Sequence, residues 1–262
     1  MVSNRVFATM LIHINNGRIT FIGAMEVNRV LSLIAPSVNC QSGCVVNDIC
    51  ACTDPIPLAG VVWMAPLPYV GPIMSEVGTS VILGFLPGLS DPSNGVLNIK
   101  TRIDFVDSLV NDANALDFNV KMSMLGQTML LPPEVVTIIT SRRQDPKMLF
   151  DRGEHGLPLL LLYGTNDRQV KGEVVKREIG PHFQDFEVCA VEGGGHALLL
   201  EYLDQVVEPL LAFMKRVMVR MLTQLPYSGA LLLTIARVVT KRAAQEKEVV
   251  IKKWSLVVLH SF

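Results

Sequence analysis

Leu157-Pro158-Leu159-Leu160-Leu161-Leu162-Tyr163-Gly164-Thr165-Asn166-Asp167 and, further on, Glu192-Gly193-Gly194-Gly195-His196 decide how this chain is read. In the first stretch an apolar run without polar alternation breaks on a glycine turn that carries an acid. A strand buried on both faces has that pattern, because alternation arises only where one face meets water. In the second, a run starting near Phe186 breaks on three glycines and delivers a histidine. Acid and base thus follow successive strands, on the loops where open α/β sheets carry functional side chains. An Asp that accepts the Nδ1 proton of a His fixes the imidazole tautomer and leaves Nε2 to take a proton from a nucleophile. Singly, each residue has a plainer use: Asp167 shapes a turn and His196 opens a helix.

The chain has 262 residues, half of them hydrophobic and 18% charged, with a net charge of -1. That length suits one α/β domain with a substantial core. The near-neutral charge gives no electrostatic case for nucleic acid. Five cysteines are present, and Cys40, Cys44, Cys50 and Cys52 crowd together. Their spacing fits neither a secreted disulfide framework nor the paired ligand spacings of zinc sites, so a reducing, cytoplasmic compartment and no metal are expected. Residues 56–75 carry no charge, yet Pro57, Pro66, Pro68 and Pro72 argue against a membrane-spanning helix there.

Residues 6–14 and 18–22 flank Asn15-Asn16-Gly17, a hairpin signal. Residues 30–35 suit a short buried strand, 44–52 a helix and 58–65 a doubly buried strand, together a βαβ unit. Residues 66–156 read as a helical insertion. Ile99, Ile103, Val106 and Val110 recur there at helical spacing, and Pro132-Pro133-Glu134 opens a helix over 135–141. Alternation then resumes: strand 159–163, helix 174–179, strand 186–191 and a long amphipathic helix over 197–219 striped by Leu199, Leu203, Val206, Val207, Leu210 and Phe213. That helix is expected to pack on the sheet. Residues 220–262 form an atypical tail.

An acid after one strand, then Gly-Gly-Gly-His leading into the last helix, resembles the α/β-hydrolase family over about residues 38–217. The resemblance implies a mostly parallel sheet flanked by helices, with residues 66–156 as a helical lid and the chain order nucleophile, acid, histidine. It implies Asp167 as the orienting acid and His196 as the base. No Gly-x-Ser-x-Gly elbow occurs in the chain. Spacing back from the 58–65 strand places the elbow on Val38-Asn39-Cys40-Gln41-Ser42-Gly43, with Cys40 at the nucleophile position, Ser42 as the alternative nucleophile and the Gln41 backbone N–H as one oxyanion donor. The first 39 residues leave no room for the usual opening strands at roughly 30 residues per βαβ unit, so the sheet is expected to be incomplete on its N-terminal side.

What the resemblance implies for function is acyl transfer on a small apolar or ester-like substrate, without a cofactor. A rival is a non-catalytic relative that binds an apolar ligand or a partner through its lid face. A third reading is an incomplete chain that associates through an unpaired sheet edge. The Arg142, Arg143, Lys147 and Arg152 group, and Asp104, Asp107 and Asp112, read as solvated helix faces. Oligomeric state has no signature in the sequence.

Overall fold

A computed structural model describes residues 9–15, 18–22, 42–54 and 58–224. Five strands form one sheet in the order β2-β1-β3-β4-β5, namely β1 (Thr9–Asn15), β2 (Arg18–Ile22), β3 (Leu58–Met64), β4 (Leu159–Gly164) and β5 (Phe186–Val191). The expected hairpin is present: β1 and β2 are antiparallel, with Leu11 opposite Ile22 and Asn15 opposite Arg18. β3, β4 and β5 are parallel, with Val61 beside Leu159 and Leu159 beside Phe186. The 30–35 strand lies outside the described residues, and the β3 edge away from β4 pairs antiparallel with β1, Thr9 opposite Trp63.

Every residue of β4 is buried, as its unbroken apolar run requires. Alternate residues share a sheet face, and Val61, Trp63, Leu159, Leu161 and Tyr163 meet four helices there. These are α1 (Ser42–Cys52) through Val46 and Cys50, α2 (Ile73–Val77) through Ile73 and Val77, α7 (Lys147–Glu154) through Leu149, and α8 (Gly172–Ile179) through Val175 and Ile179. At the β5 edge Val188 remains 37% exposed.

Between β3 and β4 the chain is helical: α2 (Ile73–Val77), α3 (Ser80–Ser90), α4 (Gly95–Asp107), α5 (Phe118–Met129) and α6 (Pro133–Ser141) precede α7. Leu89, Phe105, Val106, Met124 and Val136 give α3 to α6 a core of their own, whereas α2 and α7 pack into the core of the sheet. Sequence punctuation concealed α3, because Pro87 and Gly88 lie inside it. Gly88 is there for contact rather than for breaking: a Cβ would fall 2.1 Å from Thr101 Oγ1 on α4. The stripe read along α4 holds in its second half, where Val106 and Val110 are buried, and fails in its first. Ile99 and Ile103 face solvent, whereas Arg102 is 3% exposed. Its guanidinium donates to the Thr128 and Leu131 carbonyls at the end of α5 and its Nε to Asn98 Oδ1, and so satisfies helix-end carbonyls that would otherwise be buried alone.

The helix expected over 197–219 is broken at Tyr202 into α9 (Leu198–Glu201) and α10 (Leu203–Gln224). By contacts the chain divides into residues 5–206 and a second unit of residues 1–4 and 207–262. Of the second unit only 207–224 is described, and in it the Arg216 guanidinium stands 5.1 Å from the Phe213 ring centre. The atypical tail beyond residue 224 lies outside the described residues. Among the described residues no single helix is long and apolar enough to cross a membrane.

Candidate active site

Backbone contact between the ends of β4 and β5 builds the site. A Cβ on Gly164 would fall 2.1 Å from the Gly194 carbonyl, and one on Gly194 would fall 3.1 Å from Gly164 Cα. The two loops therefore touch main chain to main chain. They are stitched by Thr165 N–H to Val191 O (3.0 Å), Asn166 N–H to Gly194 O (2.9 Å) and Gly193 N–H to Thr165 Oγ1 (2.8 Å). The three glycines before His196 meet different needs. Gly193 has φ of 71°, a left-handed conformation that suits glycine; Gly194 leaves room for Gly164; Gly195 leaves room for the Glu201 carboxylate, 2.5 Å from where its Cβ would be.

These loops bring Asp167 and His196 together. His196 Nδ1 lies 2.9 Å from Asp167 Oδ2, and their side chains are 1% and 0% exposed. A carboxylate only accepts, so Nδ1 carries the proton in this bond. Asp167 Oδ1 accepts from the backbone N–H of Gln169 (2.7 Å) and of Val170 (3.0 Å). The acid is thus held on one side by its own turn and on the other by the imidazole. His196 Nε2 is buried and has no hydrogen-bond partner among the described residues.

A support that the sequence did not reveal reaches in from the helical insertion. Glu201 accepts from Asn111 N–H (2.8 Å) and from Gly195 N–H (3.2 Å). Asn111 Nδ2 donates to Gly193 O at 2.8 Å, and Asn166 Nδ2 donates to Asn111 Oδ1. Ala197 N–H reaches Leu109 O at 2.7 Å, and Tyr202 Oη donates to Gly193 O at 3.0 Å. The break at Tyr202 follows from this, since it returns Glu201 and Tyr202 to the glycine loop. No sequence pattern marks Asn111 and Glu201, which stand 90 positions apart.

Of the proposed nucleophile region, Cys40 and Gln41 lie outside the described residues, and Ser42 is the first residue of α1. Gly43 fixes where that helix begins: a Cβ there would lie 2.3 Å from the Leu67 carbonyl and 2.7 Å from Pro68 Cα. The start of α1 therefore abuts the chain just past the carboxyl end of β3, the sheet edge that also carries Asp167 and His196. Ala65, at the turn out of β3, has φ of 46°. Cys44 and Cys50 are buried. Burial is the main cause pushing each thiol up to about 12, with Arg142 opposing it at Cys44 and Arg152 at Cys50. Such thiols carry little thiolate at neutral pH and make poor nucleophiles. Among the described residues no group of three or more His, Cys, Asp or Glu side chains could hold a metal ion.

Arg142 donates to Asp48 on α1 at 2.8 Å and Arg152 reaches Asp54 at 3.2 Å, so two members of the basic group are engaged with the α1 region. Gln144 joins the same contact. Its Nε2 donates to Cys44 O (2.8 Å) and Asp48 Oδ1 (2.5 Å), and its Oε1 accepts from Val70 N–H (2.8 Å).

Beside the dyad lies an apolar cavity of about 90 Å³, bounded by Leu67, by the insertion helices, and by Gln169 and Val170. Neither Asp167 nor His196 lines it. It adjoins them through Gln169 and Val170, whose N–H groups hold the Asp167 carboxylate.

No protein-family profile matches the sequence, and no curated protein does. Among solved structures, an esterase from Rhodococcus sp. ECU1013 is similar with a TM-score of 0.59 at 19% identity, over 72% of this chain and 69% of its own. The 2-hydroxy-6-oxo-6-phenylhexa-2,4-dienoate hydrolase from Rhodococcus sp. strain RHA1 is similar with a TM-score of 0.51 at 16% identity, over 66% of this chain and 61% of its own. The matched region thus spans between about three fifths and seven tenths of those two chains. Likeness at such low identity speaks for architecture, and the architecture it shows is the α/β-hydrolase fold, so this chain is an α/β-hydrolase-fold protein.

Proposed function

We propose that this protein hydrolyses a small ester-like substrate by acyl transfer, with Cys40 as nucleophile, His196 as base and Asp167 as the acid that orients it. The observation that carries the reading is the buried Asp167–His196 pair, whose Nε2 has no partner among the described residues. In this assignment Nε2 takes the nucleophile's proton, the nucleophile attacks the ester carbonyl, and the alcohol departs with the proton returned from Nε2. Water, deprotonated by the same nitrogen, then cleaves the acyl-enzyme. The Gln41 backbone N–H would serve as one oxyanion donor.

Cys40 is preferred to Ser42 because Ser42 already belongs to α1, while an elbow nucleophile sits in the turn before its helix. The cavity under the insertion, which acts as a lid in this reading, would take the apolar part of the substrate.

The test is active-site labelling of the folded protein with a fluorophosphonate and, separately, iodoacetamide, with adducts mapped by mass spectrometry beside p-nitrophenyl butyrate turnover. Selective modification of Cys40 or Ser42 that depends on His196, with turnover lost in His196→Ala, is the expected result. Unselective labelling with turnover unchanged in His196→Ala ends the enzyme reading and favours a non-catalytic ligand-binding relative.

A further inference from the structure

Gly193, Gly194 and Gly195 run up to His196 without a side chain among them, so nothing of their own pins the loop that carries the base, and glycine has the most backbone freedom to lose. The pins come from elsewhere, and several converge from residues 108–111, the stretch of the insertion that follows α4. Asn111 N–H donates to Glu201 Oε1 at 2.8 Å, and Glu201 Oε2 accepts in turn from Gly195 N–H at 3.2 Å. Asn111 Nδ2 donates to Gly193 O at 2.8 Å. Ala197, on the other side of His196, gives its N–H to Leu109 O and shares a buried core with Leu109 and Val110. His196 is thus gripped before and after by one stretch of the insertion.

The same stretch holds the acid turn. Asn111 Oδ1 accepts from Asn166 Nδ2, and Ser108 Oγ accepts from Gln169 Nε2 at 2.8 Å, which puts an insertion contact on each side of Asp167. The amide orientation of Asn111 follows from its partners. Gly193 O only accepts, so the NH2 faces it and the oxygen is left for Asn166. One side chain thereby spans the acid loop and the base loop.

Resting on the hydrolase reading, we infer that Asn111 and Glu201 are positioning residues for His196, and that the insertion does more than cover the site: its seating holds Nε2 where the nucleophile's proton is taken. Both residues act through the glycine loop rather than on the substrate. Asn111 is exposed, so water replaces its bonds when the side chain is removed and the fold loses little. What is lost is the fixed place of the imidazole, and a misplacement of about 1 Å can slow a reaction about a hundredfold.

The test takes Asn111→Ala and Glu201→Gln in the full chain. A glutamine keeps the shape of Glu201 but turns an NH2 toward one of the N–H groups that the carboxylate accepts. The readouts are kcat and KM for p-nitrophenyl butyrate, water exchange of the His196 Nδ1 proton by NMR, and urea unfolding. In both variants kcat should fall about tenfold or more with KM within about twofold of wild type, because a misplaced base slows proton transfer without changing ground-state binding. Exchange of the Nδ1 proton should quicken about tenfold as the Asp167–His196 bond opens more often. The urea midpoint of Asn111→Ala should stay near that of the wild type.

An unchanged kcat in both variants, a loss that appears in KM instead, or an Nδ1 proton that exchanges no faster than in the wild type overturns the inference. Should Asn111→Ala fail to fold, Glu201→Gln carries the same readouts. A wild-type chain that turns over no ester defeats the hydrolase reading, and the Nδ1 exchange then decides the positioning role by itself. Turnover that survives both substitutions upholds the hydrolase reading and defeats this one.

Discussion

Asp167→Asn separates the two tasks of the Asp167 carboxylate. Oδ1 accepts from two backbone N–H groups at 2.7 and 3.0 Å, and Oδ2 faces His196 Nδ1 at 2.9 Å. An asparagine with its oxygen turned to the backbone keeps both main-chain bonds and presents its NH2 to the imidazole. Nδ1 must then accept, the ring proton moves to Nε2, and the ring can no longer take a proton from a nucleophile. Turnover should fall roughly 10⁴-fold, the effect of the same exchange in a serine protease whose geometry survives it. Stability should change by only about 1 kcal/mol, because a charge-assisted hydrogen bond is replaced by a neutral one.

Asp167→Ala supplies the contrast. It strands two backbone donors in a place where the Asp167 side chain is 0% exposed. At about 1–3 kcal/mol for each orphan the loss is about 2–6 kcal/mol, a large share of the roughly 5–15 kcal/mol of a typical domain. The assays are p-nitrophenyl butyrate hydrolysis and urea unfolding of both variants. Wild-type turnover in Asp167→Asn would refute the role given to the acid. Unfolding of Asp167→Asn as severe as that of Asp167→Ala would refute the view that the two backbone bonds anchor the turn.

Four further outcomes follow from the structure. Gly164→Ala puts a Cβ 2.1 Å from the Gly194 carbonyl, so the loops must part; a loss of about 3 kcal/mol or more in urea unfolding is expected, together with loss of the Asp167–His196 hydrogen bond by proton NMR. Cys44 and Cys50 should resist iodoacetamide in the native protein at pH 8 while exposed Cys52 reacts, as mass spectrometry would show. Their thiols are raised from 9.0 to about 12 on folding, so the neutral form is favoured in the native state; this stability is complete below pH 9 and is lost as pH rises toward 12, visible as a falling urea midpoint. Gln144→Ala orphans the Val70 N–H, and a cost of about 1–3 kcal/mol with faster hydrogen exchange at Val70 is expected.

The parallel strands were legible because burial on both faces leaves a mark in composition: β4 is an apolar run that admits no other reading of comparable economy. The hairpin was legible from Asn16-Gly17. Helices α3 to α6 of the insertion were harder, since their apolar faces meet one another rather than the sheet. Along α4 the stripe holds at Val106 and Val110, but in the first turns the buried position goes to Arg102, a charged residue that a hydrophobic stripe cannot predict, and Ile99 and Ile103 are left outside. In α3 the residues that usually end a helix, Pro87 and Gly88, sit within one because Thr101 needs the space beside Gly88. Asp167 and His196 stood out because each ends a strand on a turn. Asn111, Glu201 and Gln169 did not, because the contacts that give them meaning come from distant segments.

Gly43 shows how a motif can survive for reasons apart from chemistry. Its place is fixed by the Leu67–Pro68 backbone, which leaves no room for a Cβ, so any chain that lays α1 against the exit of β3 needs glycine there whether or not it has a nucleophile. The glycine before His196 that faces Gly164 obeys the same rule. These glycines are therefore evidence for the fold and say little about activity. The Asp167–His196 bond is different in kind. A buried carboxylate satisfied by two backbone donors would complete its turn without an imidazole, and a buried imidazole whose Nε2 finds no partner among the described residues adds a cost that packing of those residues does not explain. A buried Nε2 that no described residue satisfies, at the loops that follow β4 and β5, is the feature on which the proposed chemistry rests.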